Sequence, residues 1–329
     1  MTHSGKRSRI AGLGINLPSR VLTNAHLEKM VDTTDEWILS RTGIRERRIA
    51  DDGVSASTLA IPAAQEALRR AGVSPEDLDL IICATSTPDM LFPSTACLIQ
   101  RGIGARGCPA FDILAACSGF IYGLSVADKF VRSGSAKTAL IVASEIFSRT
   151  VDWEDRNTCV LFGDGSAAAV IKATDGASHV IDTRIRADGT YADLLTGAAG
   201  PAGLGASKPA DPKAHCIKMK GNQTFKVAVT NMADVCSSLL SDNGYTASDV
   251  ALVIPHQANI RIIHAVAKSL DIPEDKMYIN VHRYGNTSAA TIPIAMYEAQ
   301  EEGRLKKGDL VLLAAFGGGL TWGSALIRW

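Results

Sequence analysis

Apolar positions along this chain alternate between short continuous runs and stretches where they recur every three or four residues. Residues 57–71 (STLAIPAAQEALRRA) have the helical spacing, with a serine near the start and Gly72 just past the end. SPEDLDLIICATS then reads as a turn and a strand at Leu80–Ala84. Ala110–Leu114 is a second short strand. It runs through AACSGF into a helical pattern with Phe120, Leu124, Ala127 and Val131 on one face. Ala139–Ala143 reads as a buried strand, and FGDGSAAAVI as a Gly-rich turn into another. Further on, Phe225, Val229, Met232, Cys236 and Leu239 are spaced as an amphipathic helix requires, and Gly244 ends it. TASDVALVIPHQAN predicts a turn, a strand at Val250–Ile254 and a loop. Ile260, Ile263, Ala267 and Leu270 mark the next helical face. Tyr278–Val281 reads as a strand, and a helix begins near Ser288. Leu310–Ala315 is a strand leading into FGGGLTWGSALI.

The two halves use the same order of elements. GVSPEDLDLII from Gly72 matches GYTASDVALVI from Gly244 at an offset of 172 residues, and Ala139–Ala143 matches Leu310–Ala314 at an offset of 171. FGDGSAAAVI matches FGGGLTWGSALI at a smaller offset, so insertions intervene. Three matches in one order indicate a duplicated α/β domain with a boundary near 173–180, dividing residues 1–175 from residues 176–329. Buried strands alternating with helices imply mixed sheets covered by helices. The Gly-, Ala- and Pro-rich stretch 197–213 reads as a loop within the second half.

Composition narrows the function. The chain has 329 residues, 46% hydrophobic and 21% charged, with 34 Lys+Arg balanced by 34 Asp+Glu. Such a chain builds a large core, carries no excess positive charge for nucleic acid, and with 5% aromatics offers no stacking platform. No stretch approaches the ~18 apolar residues of a membrane span. Met1–Arg9 is polar and basic, and Gly12, Gly14 and Asn16 interrupt the short apolar segment after it, a poor signal-peptide core. The expectation is a cytoplasmic protein that binds neither membrane nor nucleic acid. Seven widely spaced cysteines without a CxxC pair argue against a disulfide framework and a zinc site.

Several motifs lack their context. Gly102-Ile-Gly104-Ala-Arg-Gly107 fits a dinucleotide fingerprint literally, but a helical segment precedes it and a strand follows, so it reads as a turn. FGDG and FGGG lack the lysine of a phosphate loop and lead into strands. His256 and His264 lie too far apart for a helical metal pair. Three other polar residues sit where α/β proteins place their sites, after the carboxyl ends of strands. Cys117 follows Ala110–Leu114 and opens a helix, whose N–H groups and dipole favour a thiolate. His256 follows Val250–Ile254, and Asn286 follows Tyr278–Val281. Taken singly, they read equally as a packed cysteine, a satisfied strand-end histidine and a turn residue. Together they describe a nucleophile with two neutral donors.

DILAACSGF, IPHQAN, GNTSAA, AAFGGGLTWGSALIRW and the early MVDTTDEWILSRTGIRERRI resemble the β-ketoacyl-acyl-carrier-protein synthase III family of the thiolase-like superfamily, from about Ile10 to Trp329. The resemblance implies two similar halves packed as five layers, α-β-α-β-α. It implies that Cys117 takes the acyl group of an acyl-CoA primer, acetyl-CoA foremost, and passes it to malonyl-acyl carrier protein with loss of CO₂. His256 Nε2–H and the Asn286 amide would stabilise the thioester oxygen during decarboxylation. The backbone N–H groups of Cys117 and Gly318 would form the oxyanion hole for acyl transfer. Trp37 and Arg156 would hold the adenine of coenzyme A and Arg41 its phosphates, with Phe225 and Asn259 along the pantetheine path. Lys226, Arg261 and Lys268 would dock the acidic carrier protein. Phe92, in LFPSTA, would reach across a homodimer into the partner's acyl pocket. Acyl-CoA is then a substrate, and no cofactor or metal is expected. Among rivals, thiolases need a second cysteine near the C-terminus, and none follows Cys236. Elongating synthases use two histidines, and Asn286 stands in place of one. A relative serving polyketide or signal-molecule synthesis, another acyltransferase, and a nonenzymatic CoA-binding protein stay open. Primer identity stays open too.

Overall fold

The structure is a computed structural model and describes residues 6–197 and 213–329. Apart from its two end residues, the loop read at 197–213 lies outside them. Among the described residues, two main sheets carry the fold. The first contains β1 (Arg7–Asn16), β2 (Leu80–Ala84), β3 (Ala110–Ile113), β4 (Thr138–Ile146) and β5 (Asp164–Thr174). Their order is β1-β5-β4-β2-β3, with parallel pairing only among β4, β2 and β3. The second contains β6 (His179–Ala187), β7 (Leu252–Pro255), β8 (Leu310–Gly317) and β9 (Thr321–Arg328), in the order β6-β9-β8-β7. Again only the β7–β8 pair is parallel, and Met277 adds one parallel bridge outside β7 at Val253. The second sheet repeats four strands of the first in the same order, with the Met277 bridge in the place of β3. β4 starts at Thr138 and β8 at Leu310, so the offset is 172 residues here as well, one more than the comparison of Ala139 with Leu310 suggests.

Helices separate and cover the sheets. The main ones are α1 (Asp35–Thr42), α2 (Ala56–Ala71), α3 (Thr95–Ile103), α4 (Gly119–Ser133), α5 (Gly221–Asp242), α6 (Ile260–Ser269) and α7 (Thr291–Glu301). Leu68 of α2 and Ile99 of α3 pack on the outer face of the first sheet. Met232 and Leu239 of α5 and Ile263 of α6 pack on the outer face of the second. Phe120, Leu124, Ala127 and Val131 of α4 lie between the sheets with Ile292 and Ala299 of α7. The result is five layers. Each large side chain in the middle layer contributes about 1.5–3 kcal/mol of burial free energy. Residues 57–71 are helical as read, but the cap is Ser55, whose Oγ accepts from Thr58 N–H, and Gly72 ends the helix at φ +61°. Gly104 likewise ends α3; of the fingerprint-like glycines Gly102 lies inside that helix, and only Gly104 and Gly107 belong to the turn after it.

Two readings are corrected by the second half. Tyr278–Val281 is not a strand. After the Met277 bridge the chain turns into a short helix, Val281–Tyr284. The buried Gln257 side chain accepts the N–H groups of Asn280 and Val281 and donates to Tyr278 O, replacing a strand ladder with an amide. The following helix starts at Thr291, after a 3₁₀ turn at Ser288–Ala290. The insertion between the FGDG and FGGG matches is also explained. β4 and β5 are joined by residues 147–163, whereas β8 and β9 are joined by residues 318–320. The longer connection carries Arg156 and is tied down by buried Arg47, which donates to Val160 O, Leu22 O and Asn24 Oδ1.

Candidate active site

Cys117 lies in a 3₁₀ turn, Ala116–Ser118, between β3 and α4. Ala116 is left-handed at φ +45°. Thr321 Oγ1 donates to Ala115 O at 2.9 Å, and Ser118 Oγ donates to Thr321 O at 3.0 Å, so β9 of the other sheet clamps the turn. Glycine is required on both sides. A Cβ on Gly317 would lie 2.6 Å from Cys117 N, and one on Gly119 would lie 2.9 Å from Ala84 Cβ and 3.2 Å from Ala289 Cβ. Burial pushes the Cys117 thiol up to about 12, against the opposing pull of Ser288, Asn286 and its own N–H. Desolvation of the anion thus opposes the preference for thiolate expected from the helix start.

His256 directly follows β7, and its N–H bonds to Ala314 O at 2.7 Å. Burial holds its pKa down to about 3, so the ring is neutral. Nδ1 lies 2.6 Å from Thr291 Oγ1, which lies 3.0 Å from Ser288 O. When the Thr291 proton goes to that carbonyl, Nδ1 keeps the ring proton and Nε2 accepts. When it turns to Nδ1, Nε2–H becomes a donor. Asn286 follows the short helix instead of a strand. Its N–H bonds to Leu161 O, and its Oδ1 accepts Ser288 N–H at 2.8 Å. That orientation leaves Nδ2 as the free donor end.

These three side chains line one cavity of about 470 Å³. Trp37, Arg41, Arg156, Phe225, Asn259 and Arg261 line it farther out. Two guanidiniums lie over the Trp37 ring, Arg41 at 4.7 Å and Arg156 at 5.0 Å from its centre. Arg261 stacks over Phe225 at 5.8 Å. Asn259 has a second task, which its sequence context did not disclose: it caps α6 through Arg261 N–H and donates to Arg41 O. Lys226 and Lys268 are exposed and do not line the cavity. Cys117 also lines a second cavity of about 400 Å³ with Gly318, Leu114 and Phe147. Phe92 is 82% exposed and lines neither cavity of its own chain.

Residues 111–189 match the 3-oxoacyl-(acyl-carrier-protein) synthase III family, and residues 240–329 match the C-terminal region of the same family. A curated relative from Aquifex aeolicus, beta-ketoacyl-acyl-carrier-protein synthase III, is 52% identical over 98% of this chain and 99% of its own. The chain belongs to the 3-oxoacyl-(acyl-carrier-protein) synthase III family. A synthase III from Roseiflexus castenholzii is 53% identical over 97% of each chain. The crystal structure of the Aquifex aeolicus VF5 synthase III superposes with a TM-score of 0.92 at 52% identity, covering 98% of this chain and 100% of that one. The thiolase-like fold read from the sequence is thus the fold of this synthase III family member.

Two residues of the site escaped the sequence reading. Thr291 looks like an ordinary first residue of a helix, yet it is the partner of His256. Ser288 looks like a turn serine, yet it is buried and left-handed at φ +51°. The only signal available was their spacing from Asn286, which the misplaced helix start concealed.

Proposed function

We propose that this synthase III family member starts acyl-chain synthesis by condensing an acyl-CoA primer with malonyl-acyl carrier protein, giving 3-ketoacyl-acyl carrier protein, CoA and CO₂. The carrying observation is the meeting of Cys117, His256 and Asn286, drawn from both sheets, in one cavity. Cys117 sulfur attacks the thioester carbonyl, and CoA leaves. The malonyl thioester then enters and loses CO₂, and its carbanion attacks the acyl-cysteine, releasing Cys117. Cys117 N–H and Gly318 N–H hold the oxyanion of acyl transfer. The Asn286 amide and His256 Nε2–H hold the thioester oxygen of decarboxylation. The donor state at His256 has the ring proton on Nε2, with the Thr291 hydroxyl donating to Nδ1 instead of to Ser288 O. A neutral donor pair suits this step, because a charged imidazolium would protonate the carbanion.

The outer cavity supports a CoA site. Trp37 and Arg156 offer an aromatic face and a planar guanidinium for adenine, and Arg41 offers a guanidinium suited to phosphate. Phe225 and Asn259 flank the route inward. The second cavity, with Leu114 and Phe147, accommodates the acyl group. Exposed Lys226, Arg261 and Lys268 make the docking face for the acidic carrier protein. Exposed Met90, Leu91 and Phe92 form the homodimer face. Residues 1–175 and 176–329 are the duplicated halves, in a cytoplasmic enzyme. These steps call on no resident metal or cofactor.

The test is peptide-mapped mass spectrometry after exposure to acetyl-CoA, followed by malonyl-acyl carrier protein. Acetyl on Cys117 that disappears on condensation is the expected result. Absence of any acyl-enzyme would overturn the reading.

A further inference from the structure

The acyl-transfer scheme leaves one proton without a destination. The Cys117 thiol must lose it, and the neutral His256, held at about 3, is a poor acceptor. Glu145, near the end of β4, is fully buried in the same corner of the molecule. Its two oxygens are used unequally. Oε2 accepts Ser86 N–H at 2.9 Å, Thr87 Oγ1 at 2.9 Å and Thr85 Oγ1 at 3.4 Å. Among the described residues Oε1 has no hydrogen-bond partner, and neither has the buried Ser288 Oγ. The Ser288–Ala290 turn packs against both β4, which carries Glu145, and the Cys117 turn, and the Ser288 hydroxyl favours the ionised form of both groups.

The duplication makes this placement specific. The left-handed Ala116 before Cys117 and the left-handed Ser288 are 172 residues apart, and so are Glu145 and Gly317. In one half the strand end is a glycine, which lets backbone press on the nucleophile turn. In the other half the same strand end is a carboxylic acid aimed at the matching turn. A left-handed serine costs conformational energy, and such strain persists where the surroundings hold it in place.

We propose that Glu145, acting through the Ser288 hydroxyl, takes up the proton that Cys117 loses on acylation. This rests on the acyl-transfer reading of Cys117. The S–H bond breaks, its proton passes to Ser288 Oγ, and the Ser288 proton passes to Glu145 Oε1. The sulfur–acyl bond forms as the bond from acyl carbon to CoA sulfur breaks. The departing CoA thiolate then recovers the proton, which restores Glu145. One negative charge is present throughout, so the pocket never holds a thiolate beside a carboxylate. Burial raises the Glu145 carboxyl to about 7, so it exchanges a proton near neutrality. The titratable groups around it are Cys117 and Cys83, and Cys83 also feels the Asp89 and Asp112 carboxylates.

The experiment times the appearance of acetyl on Cys117 in the full-length protein between pH 5.5 and 9, by rapid quench and intact mass. Wild-type acylation should rise with pH through the titration of Glu145, because only the ionised carboxylate accepts. Glu145→Gln keeps an oxygen for the Ser86–Thr87 side and replaces the acceptor facing Ser288. It should slow acylation roughly 100-fold, remove the rise near neutrality and leave the half-saturating acetyl-CoA concentration unchanged. Glu145→Asp should recover part of the rate. Ser288→Ala should slow acylation similarly, and the double variant should be no slower than either single one, as for members of one relay. Thermal unfolding establishes that each variant is folded. Wild-type rates and pH profile in Glu145→Gln, or losses that multiply in the double variant, would overturn the relay alone. A wild-type protein that never acquires acetyl on Cys117 would overturn the acyl-transfer reading and the relay with it.

Discussion

The turns at Ala116–Ser118 and Ser288–Ala290 are the same piece of backbone used twice. Each opens on a left-handed residue, makes one 3₁₀ turn and continues into a helix of the middle layer, α4 in one half and α7 in the other. They face each other, since Gly119 of the first packs against Ala289 of the second. Their chemistry differs completely. The first turn carries a sulfur at Cys117, where the second carries the methyl of Ala289. The second is flanked by Asn286 and Thr291, which orient a donor and a histidine. Duplication supplied two equivalent corners at the joint of the sheets, and single side chains then gave one a thiol and the other a set of hydrogen-bonding groups.

Breaking that division at its centre should have the largest effect. Cys117→Ala, which makes the two turns alike, should abolish acylation by acetyl-CoA in mass spectrometry, and persistence of acyl-enzyme would remove Cys117 from the mechanism. Emptying the cradle should act on the other half-reaction. His256→Ala and Asn286→Ala should still be acylated, but each should release CO₂ from malonyl-acyl carrier protein about 10²–10³-fold more slowly. Normal release by both would refute the donor pair. Gly317→Ala sharpens the backbone side of the comparison. The added Cβ forces the Cys117 turn to move, at a cost of about 1–3 kcal/mol, so both the unfolding temperature and the acylation rate should fall. Thr291→Val should leave Nδ1 of His256 without its partner and slow decarboxylation roughly tenfold, with little change in acylation.

Apart from catalysis, the comparison also bears on stability in acid. Burial lowers the His256 pKa in the folded protein from 6.5 to about 3. Below pH 6.5 the unfolded chain therefore binds a proton that the folded chain refuses. The stability contributed by the neutral ring is present above 6.5 and is lost as pH falls toward 3. His256→Gln should flatten the thermal-unfolding profile over that interval. An unchanged slope would place the acid sensitivity elsewhere.

The sequence carried the repeated grammar and the three central side chains because both write strong local signals. Buried strands appear as continuous apolar runs, and Cys117, His256 and Asn286 sit in punctuated loops at matching ends of the repeat. The strand read at Tyr278–Val281 failed because Gln257, more than twenty residues earlier, supplies the bonds a neighbouring strand would supply. Glu145 was illegible for a related reason, because an acid closing an apolar run gives no sign of whether it faces water or a thiol.

By itself, then, the chain's order of residues determined the two halves, their element order and which loops hold polar chemistry, because these follow from periodicity and turn composition within short windows. Only the tertiary structure decided the ionisation of Cys117 and His256, the pairing of His256 with Thr291, and the approach of Ser288 to Glu145. Each of these depends on how much water is excluded and on which group from a distant segment replaces it. Those quantities exist only after the two sheets have closed on the helices between them.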